Sequence, residues 1–90
     1  MGIVERMKAL DGKIALVTGG NRGIGAAISL ALAQAGCAVA LNFRARTDEA
    51  ENVCGQIRAL GRKALTVQAD VSLANQVKQM AERVERELGL

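Results

Sequence analysis

Short apolar runs alternate along the chain with longer segments in which apolar residues recur every three or four positions. The short runs are typical of buried parallel strands, and we predict strands over residues 13–18, 37–43 and 63–69. The longer segments have the period of amphipathic helices, and we predict helices over residues 22–35, 47–60 and 72–88. The pattern therefore predicts the order β-α-β-α-β-α.

Each predicted helix has an apolar stripe that we expect to face the sheet. In the first helix the stripe comprises Ile24, Ala27, Ile28, Ala31, Leu32 and Ala35. In the second it comprises Ala50, Val53, Cys54, Ile57 and Leu60. In the third it comprises Val77, Met80, Ala81, Val84 and Leu88. In the third strand, Leu65 and Val67 fall on one face.

The helix boundaries carry residues that commonly cap helices. The predicted N-terminal caps are Asn21 for the first helix, Thr47 or Asp48 for the second, and Ser72 for the third. Asp48 and Glu51 also have the spacing of a capping box. Glycines end the three helices, at Gly36, Gly61 and Gly89.

The element order predicts an α/β fold with right-handed crossovers and a parallel sheet covered by helices on both faces. A length of 90 residues allows one domain at most. We therefore expect residues 1–10 to be an N-terminal extension and residues 11–90 to form one half of a doubly wound fold that binds a dinucleotide.

Composition and charge exclude several classes of partner. The net charge is +3, but the basic residues are interleaved with acids, and Phe43 is the only aromatic residue, so no nucleic-acid surface is expected. No apolar run is long enough for a membrane span or a signal peptide. Cys37 and Cys54 occur without histidine, which predicts buried thiols, no metal site and a reducing cytoplasm.

The turn between the first strand and the first helix is crowded with glycine. Thr18 is followed by the pattern Gly-x-x-x-Gly-x-Gly, with glycines at Gly19, Gly23 and Gly25. Backbone amides and the helix dipole at such a position form an anion site that suits a pyrophosphate. Ala26 stands where a nucleoside triphosphatase loop needs lysine. The alternative is a turn that only packs the helix on the sheet.

The segments "GKIALVTGGNRGIGAAISLALAQAGCAVALNFRAR" and "IRALGRKALTVQADVS" resemble the short-chain dehydrogenase/reductase family. Within that family they are most similar to 3-oxoacyl-[acyl-carrier-protein] reductases, and the resemblance covers residues 11–90. It implies a partial Rossmann fold with three of its strands in this chain. It also implies that Thr18 and Asn21 shape the turn and that Asp70 and Val71 meet the adenine ring. The implied contacts to the rest of the dinucleotide are Gly19, Gly23, Ile24 and Gly25.

The residues after the second strand indicate which nicotinamide cofactor binds. Phe43 stands where an acid would accept hydrogen bonds from a ribose 2′-hydroxyl and repel a 2′-phosphate. Arg44 follows it, and Arg22 lies in the glycine turn, so both guanidinium groups are predicted to bind the 2′-phosphate of NADP. Arg46 is interpreted as a solvated surface charge.

Family members transfer hydride with a tyrosine, a lysine four positions later and a serine. This chain has no tyrosine, and its serines, Ser29 and Ser72, lie in other places, so we assign no catalytic residue and predict that the chain alone is inactive. The first strand would also have a bare edge, which predicts pairing with the remaining half of the enzyme or self-association. A standalone nucleotide-binding or interaction module is the alternative. A methyltransferase-like nucleoside binder is disfavoured by Phe43.

Overall fold

Three parallel strands form one sheet with helices on both of its faces. The computed structural model describes residues 10–89. Its elements are β1 (Ile14–Thr18), α1 (Gly23–Gln34), β2 (Ala38–Phe43), α2 (Thr47–Ala59), β3 (Ala64–Gln68) and α3 (Ala74–Leu88). The predicted α/β class and element order are confirmed. Most of the predicted N-terminal extension lies outside the described residues.

The strands lie in the order β1-β2-β3, with β2 in the centre. All pairs are parallel, and the register places Thr18 opposite Asn42 and Asn42 opposite Val67. The carboxyl ends of the three strands therefore meet at one edge of the sheet. This edge is where open α/β sheets bind ligands.

Apolar residues of β2 divide between the two faces of the sheet and form two cores. On the face that packs against α1 and α2, the core comprises Ala33, Cys37, Val39, Leu41, Val53, Cys54 and Ile57. On the face that packs against α3, it comprises Ala40, Leu65, Val67, Ala69, Met80, Val84 and Leu88. The shared face predicted for Leu65 and Val67 is confirmed.

The stripe predicted for α1 is wrong in its first half and confirmed at its end, where Leu32 packs against the core and Ala35 is fully buried. Ile24, Ala27 and Ile28 are exposed, and the residues fully buried within the helix are Ser29 and Ala33. Almost every position of α1 is apolar or small, so its hydrophobic period does not select one face. Small residues instead face the sheet, because they let the helix backbone approach it closely.

The other two stripes are largely confirmed. In α2, four of the five predicted residues are buried, and Leu60 is exposed beyond the end of the helix. In α3, Met80, Val84 and Leu88 are buried, whereas Val77 and Ala81 are exposed. The buried residues of α3 lie four positions apart, which gives a narrower stripe than the sequence predicts.

The predicted N-terminal caps are wrong for all three helices. The capping positions are held by Arg22, Arg46 and Leu73, and none makes a side-chain hydrogen bond to its helix. Polar side chains near these positions bind groups outside the helix ends instead. Glu51, for example, accepts a hydrogen bond of 2.9 Å from Thr66 Oγ1 in β3 rather than closing a capping box. The glycines predicted at the helix ends do follow the helices.

Candidate functional site

The glycine turn presents free backbone amides at the start of α1. The first amide of this turn to bond a helical carbonyl is that of Ala26, which donates to Arg22 O at 3.2 Å. The amides of Gly23, Ile24 and Gly25 precede that bond, and no side chain of residues 10–89 caps them. Three donors at the positive end of the helix dipole are therefore available to an anion.

Backbone packing inside the turn explains the glycine at position 25. A Cβ atom there would overlap Gly19 O and would lie 2.8 Å from the Gly19 carbonyl carbon and 3.2 Å from Gly20 Cα. Gly19 and Gly23 have φ angles of +64° and +56°, which L-residues with side chains rarely adopt. The turn can therefore lie close against the helix while its amides remain exposed.

Asn42 links the glycine turn to the third strand, and sequence analysis missed it. Its side chain is 3% exposed, and Nδ2 donates to the carbonyls of Val67 (3.3 Å) and Ala69 (3.2 Å). Its own backbone carbonyl accepts a hydrogen bond from Gly20 N at 3.0 Å. A polar residue near the end of an otherwise apolar strand was the available signal.

A cavity of about 450 Å³ opens beside this residue, at the carboxyl ends of the strands; its lining includes Thr18, Gly19, Asn42, Arg44, Asp70 and Val71. Asp70 Oδ1 accepts hydrogen bonds from Ser72 Oγ (2.6 Å) and Ser72 N (2.9 Å). These bonds, and then the Arg44 guanidinium 3.7 Å from Oδ2, lower the pKa of Asp70 below its ordinary value of 3.8. Asp70 is therefore an anion near neutral pH.

A second cleft, of about 320 Å³, continues from the first through Gly19 and Arg44 and is also lined by Asn21, Arg22, Ala45 and Arg46. Asn21 Nδ2 donates to Ala45 O at 3.3 Å, which ties the glycine turn to the segment after β2. Arg22 and Arg44, which the sequence predicts to act together, lie on this one cleft, and so does Arg46.

Two exposed residues near the site, Ile24 and Val71, are large and apolar. Ile24 is 81% exposed at the start of α1, and Val71 is about half exposed after β3. Neither packs into a core cluster, so both are available to contact a bound molecule. Large exposed side chains at a ligand-binding edge of a sheet are informative because folding alone leaves them uncovered.

The two cysteines lie apart from this site and are buried and free, as predicted. Burial raises the pKa of both thiols above the ordinary value of 9.0. Residues 10–89 contain no group of three His, Cys, Asp or Glu side chains able to hold a metal ion. In the same part of the chain, none of the helices has the length and apolar character required to cross a membrane.

The fold and the site together define an α/β domain with a glycine-rich turn and exposed helix amides at the carboxyl edge of a parallel sheet. Residues 13–90 match the family model for short chain dehydrogenase. The chain therefore belongs to the short-chain dehydrogenase family.

Individual relatives agree with this family. Hydroxynaphthalene reductase of Aspergillus fumigatus is 44% identical over 80 residues, which are 89% of this chain and 29% of that protein. A short chain dehydrogenase from Burkholderia cenocepacia, solved in complex with NADP, has a TM-score of 0.86 at 45% identity and is covered to 33%. A blue fluorescent protein from a metagenomic library, solved with NADPH, has a TM-score of 0.84 at 40% identity and is also covered to 33%. Each solved structure covers 89% of this chain. The chain spans about a third of the length of these proteins.

Proposed function

We propose that this chain is the cofactor-binding portion of an NADP(H)-dependent short-chain oxidoreductase that interconverts carbonyls and alcohols. The single observation that carries the proposal is the row of uncapped amides at Gly23, Ile24 and Gly25, which directly follows Asn21 and Arg22 on the wall of a cleft at the carboxyl ends of the strands. In this arrangement the amides hold the pyrophosphate, and Asp70 and Val71 hold the adenine end. The bound cofactor supplies or accepts the hydride.

The proposed preference for NADP rests on charge. Arg22 and Arg44 line the cleft beside the adenine cavity, and Phe43, which precedes Arg44, is buried and presents no carboxylate to a ribose. Guanidinium groups bind phosphate through paired charge-assisted hydrogen bonds. The solved relatives that hold NADP and NADPH support this choice of cofactor.

Titration of the chain with NADP and with NAD at two salt concentrations tests the preference. We expect NADP to bind about tenfold more tightly at low salt, and we expect added salt to reduce the difference because it screens exposed charges. Arg44→Gln should remove most of the preference, whereas Arg86→Gln, in the last turn of α3, should not. Equal affinity for NADP and NAD in the unmodified chain would contradict the proposed cofactor.

The proposed reaction requires residues beyond this chain. Ser29 is buried and donates to Gly25 O at 2.8 Å, and Ser72 holds Asp70, so neither serine is free to orient a substrate. We propose that residues 11–90 are the N-terminal half of the domain and that the catalytic groups lie in the remaining part. The chain alone should bind cofactor and show no turnover.

We propose that the open edge of β1 pairs with the remaining part of the domain. The strands lie side by side in the order β1, β2, β3. The helices that connect them, α1 and α2, lie on one face of the sheet, whereas α3 lies on the other face. A right-handed crossover through a helix on the opposite face leads back across the sheet, so the strand after α3 would pair with β1. Leu16, 42% exposed on β1, lies beside that edge.

A standalone nucleotide-binding or interaction module is the second candidate, favoured by the complete set of turn and cleft residues within this chain. Light scattering combined with cofactor titration separates the two. Concentration-dependent association would support an incomplete domain, whereas a stable monomer of 9.4 kDa that binds cofactor would support the module. The buried free thiols suit a reducing compartment, and we propose the cytoplasm.

The substrate is proposed only as a carbonyl compound. The sequence resemblance to 3-oxoacyl-[acyl-carrier-protein] reductases is not supported by the relatives above, one of which is named as a hydroxynaphthalene reductase. Cofactor-binding residues do not distinguish these substrates. Assays of the completed enzyme with an acyl thioester and with a polycyclic ketone would separate the two groups.

A further inference from the structure

Arg46 has a backbone conformation that its residue type disfavours. It lies at the N-terminal cap of α2 with φ 68° and ψ 62°, and among residues 10–89 it is the only non-glycine residue with a positive φ. The left-handed region is unfavourable for an L-residue with a side chain, and glycine or asparagine would adopt it more easily. Its side chain forms no cap hydrogen bond, so the local helix does not explain the arginine.

The surroundings of Arg46 indicate what the arginine does. It lines the same cleft as Arg22 and Arg44. Its Nη1 lies 3.7 Å from Glu49 Oε1, and Arg22 Nε lies 3.9 Å from Glu49 Oε2. One carboxylate thus lies against guanidinium groups from two different turns.

These ion pairs are loose. Both arginine side chains are more than 60% exposed, and both distances exceed that of a hydrogen bond. Glu49 Oε2 is buried and accepts no hydrogen bond from the described residues. The three guanidinium groups of the cleft face two carboxylates, Glu49 and Asp70, so a net positive charge remains that favours a phosphate.

We propose that Arg46 is a third guanidinium of the 2′-phosphate subsite and that Glu49 is its counterion until the phosphate binds. The inference rests on the proposed binding of NADP and adds two specificity residues to it. The bound phosphate replaces Glu49 as the partner of Arg22 and Arg46, because it forms charge-assisted hydrogen bonds that Glu49 does not form. Because Glu49 remains nearby, its charge opposes the phosphate and lowers the affinity.

Calorimetry with adenosine 2′,5′-bisphosphate and 5′-AMP tests this on the 90-residue chain. We expect Arg46→Asn to weaken bisphosphate binding about fivefold and to leave AMP binding unchanged, since only the bisphosphate carries the 2′-phosphate. Asparagine tolerates the left-handed region, so the melting temperature should not fall. Glu49→Gln should strengthen bisphosphate binding about two- to threefold, because it removes a nearby negative charge.

Matched variants control for net charge. Asp48→Asn removes a carboxylate from the same turn of α2 but not from an ion pair of the cleft, and Arg86→Gln removes a distant guanidinium. Neither should change bisphosphate binding by more than twofold. If the unmodified chain prefers the bisphosphate and Arg46→Asn keeps the full preference, the role of Arg46 is refuted while the NADP proposal stands. If the unmodified chain shows no preference, the NADP proposal itself fails.

Discussion

Gly25 offers a direct test of how the glycine turn is packed. Gly25→Ala places a Cβ where the Gly19 carbonyl oxygen lies, 2.8 Å from the Gly19 carbon and 3.2 Å from Gly20 Cα. All three neighbours are backbone atoms, so no side chain can rotate away. Either the glycine turn or the start of α1 must move.

The magnitude follows from two opposing effects. Overpacking of this kind costs about 1–3 kcal/mol or more, and replacing a helical glycine by alanine returns about 0.5–1 kcal/mol. We expect Gly25→Ala to lower the free energy of unfolding by about 1–2 kcal/mol. The shifted amides should also weaken NADP binding at least tenfold, because several donors must meet one pyrophosphate together.

Gly55→Ala is the matched control within the same chain. Gly55 lies in the middle of α2, and a Cβ there meets no atom within 4 Å. The same substitution should therefore stabilise the chain by about 0.5–1 kcal/mol and leave cofactor binding unchanged. Urea denaturation followed by circular dichroism, with calorimetric titration of NADP, measures both effects. Unchanged stability and unchanged binding in Gly25→Ala would refute the close packing of the turn on α1.

Three further predictions concern the strands and the thiols. Asn42→Ala should lower the free energy of unfolding by about 2–3 kcal/mol in urea denaturation, since two buried carbonyls lose their donor; a loss below 0.5 kcal/mol would contradict this role. Because burial raises the pKa of Cys37 and Cys54 above 9.0, ionisation favours the unfolded chain. Stability should therefore fall as pH rises past about 9, and iodoacetamide at pH 8 should label both thiols much faster in urea; equal labelling rates would argue against burial. Leu16→Lys should reduce self-association in light scattering, whereas Leu60→Lys, equally exposed at the end of α2, should not; equal effects would exclude the β1 edge.

Some features of the site could be predicted because their cause is local in the chain. The glycine turn follows an apolar run and precedes a helical period, so its position between a strand and a helix is readable. Arg22 and Arg44 are close to the two turns that end β1 and β2, and parallel strands bring those turns to one edge. Their common cleft follows from strand order.

Other features depend on residues far apart in the sequence. Asn21 has the chemistry of a helix cap, but its side chain binds Ala45 across the sheet edge. Glu49 forms ion pairs with both Arg22 and Arg46. These arginines come from two different turns, which lie together only because the strands pair in the sheet. Local propensity indicates which hydrogen bonds a side chain can form with its own segment, but it does not predict competing partners from another segment.

The sequence by itself determined the order of strands and helices and the place of the glycine turn between β1 and α1, because period and glycine spacing act over a few residues. Only the tertiary structure decided which face of α1 is buried. That helix is apolar almost all round, and Ser29 and Ala33 face the sheet because small side chains permit close approach. The tertiary structure also decided which residues lie next to Arg46 and Asn42. Their partners come from other turns and strands, and the distances between them are set by sheet packing.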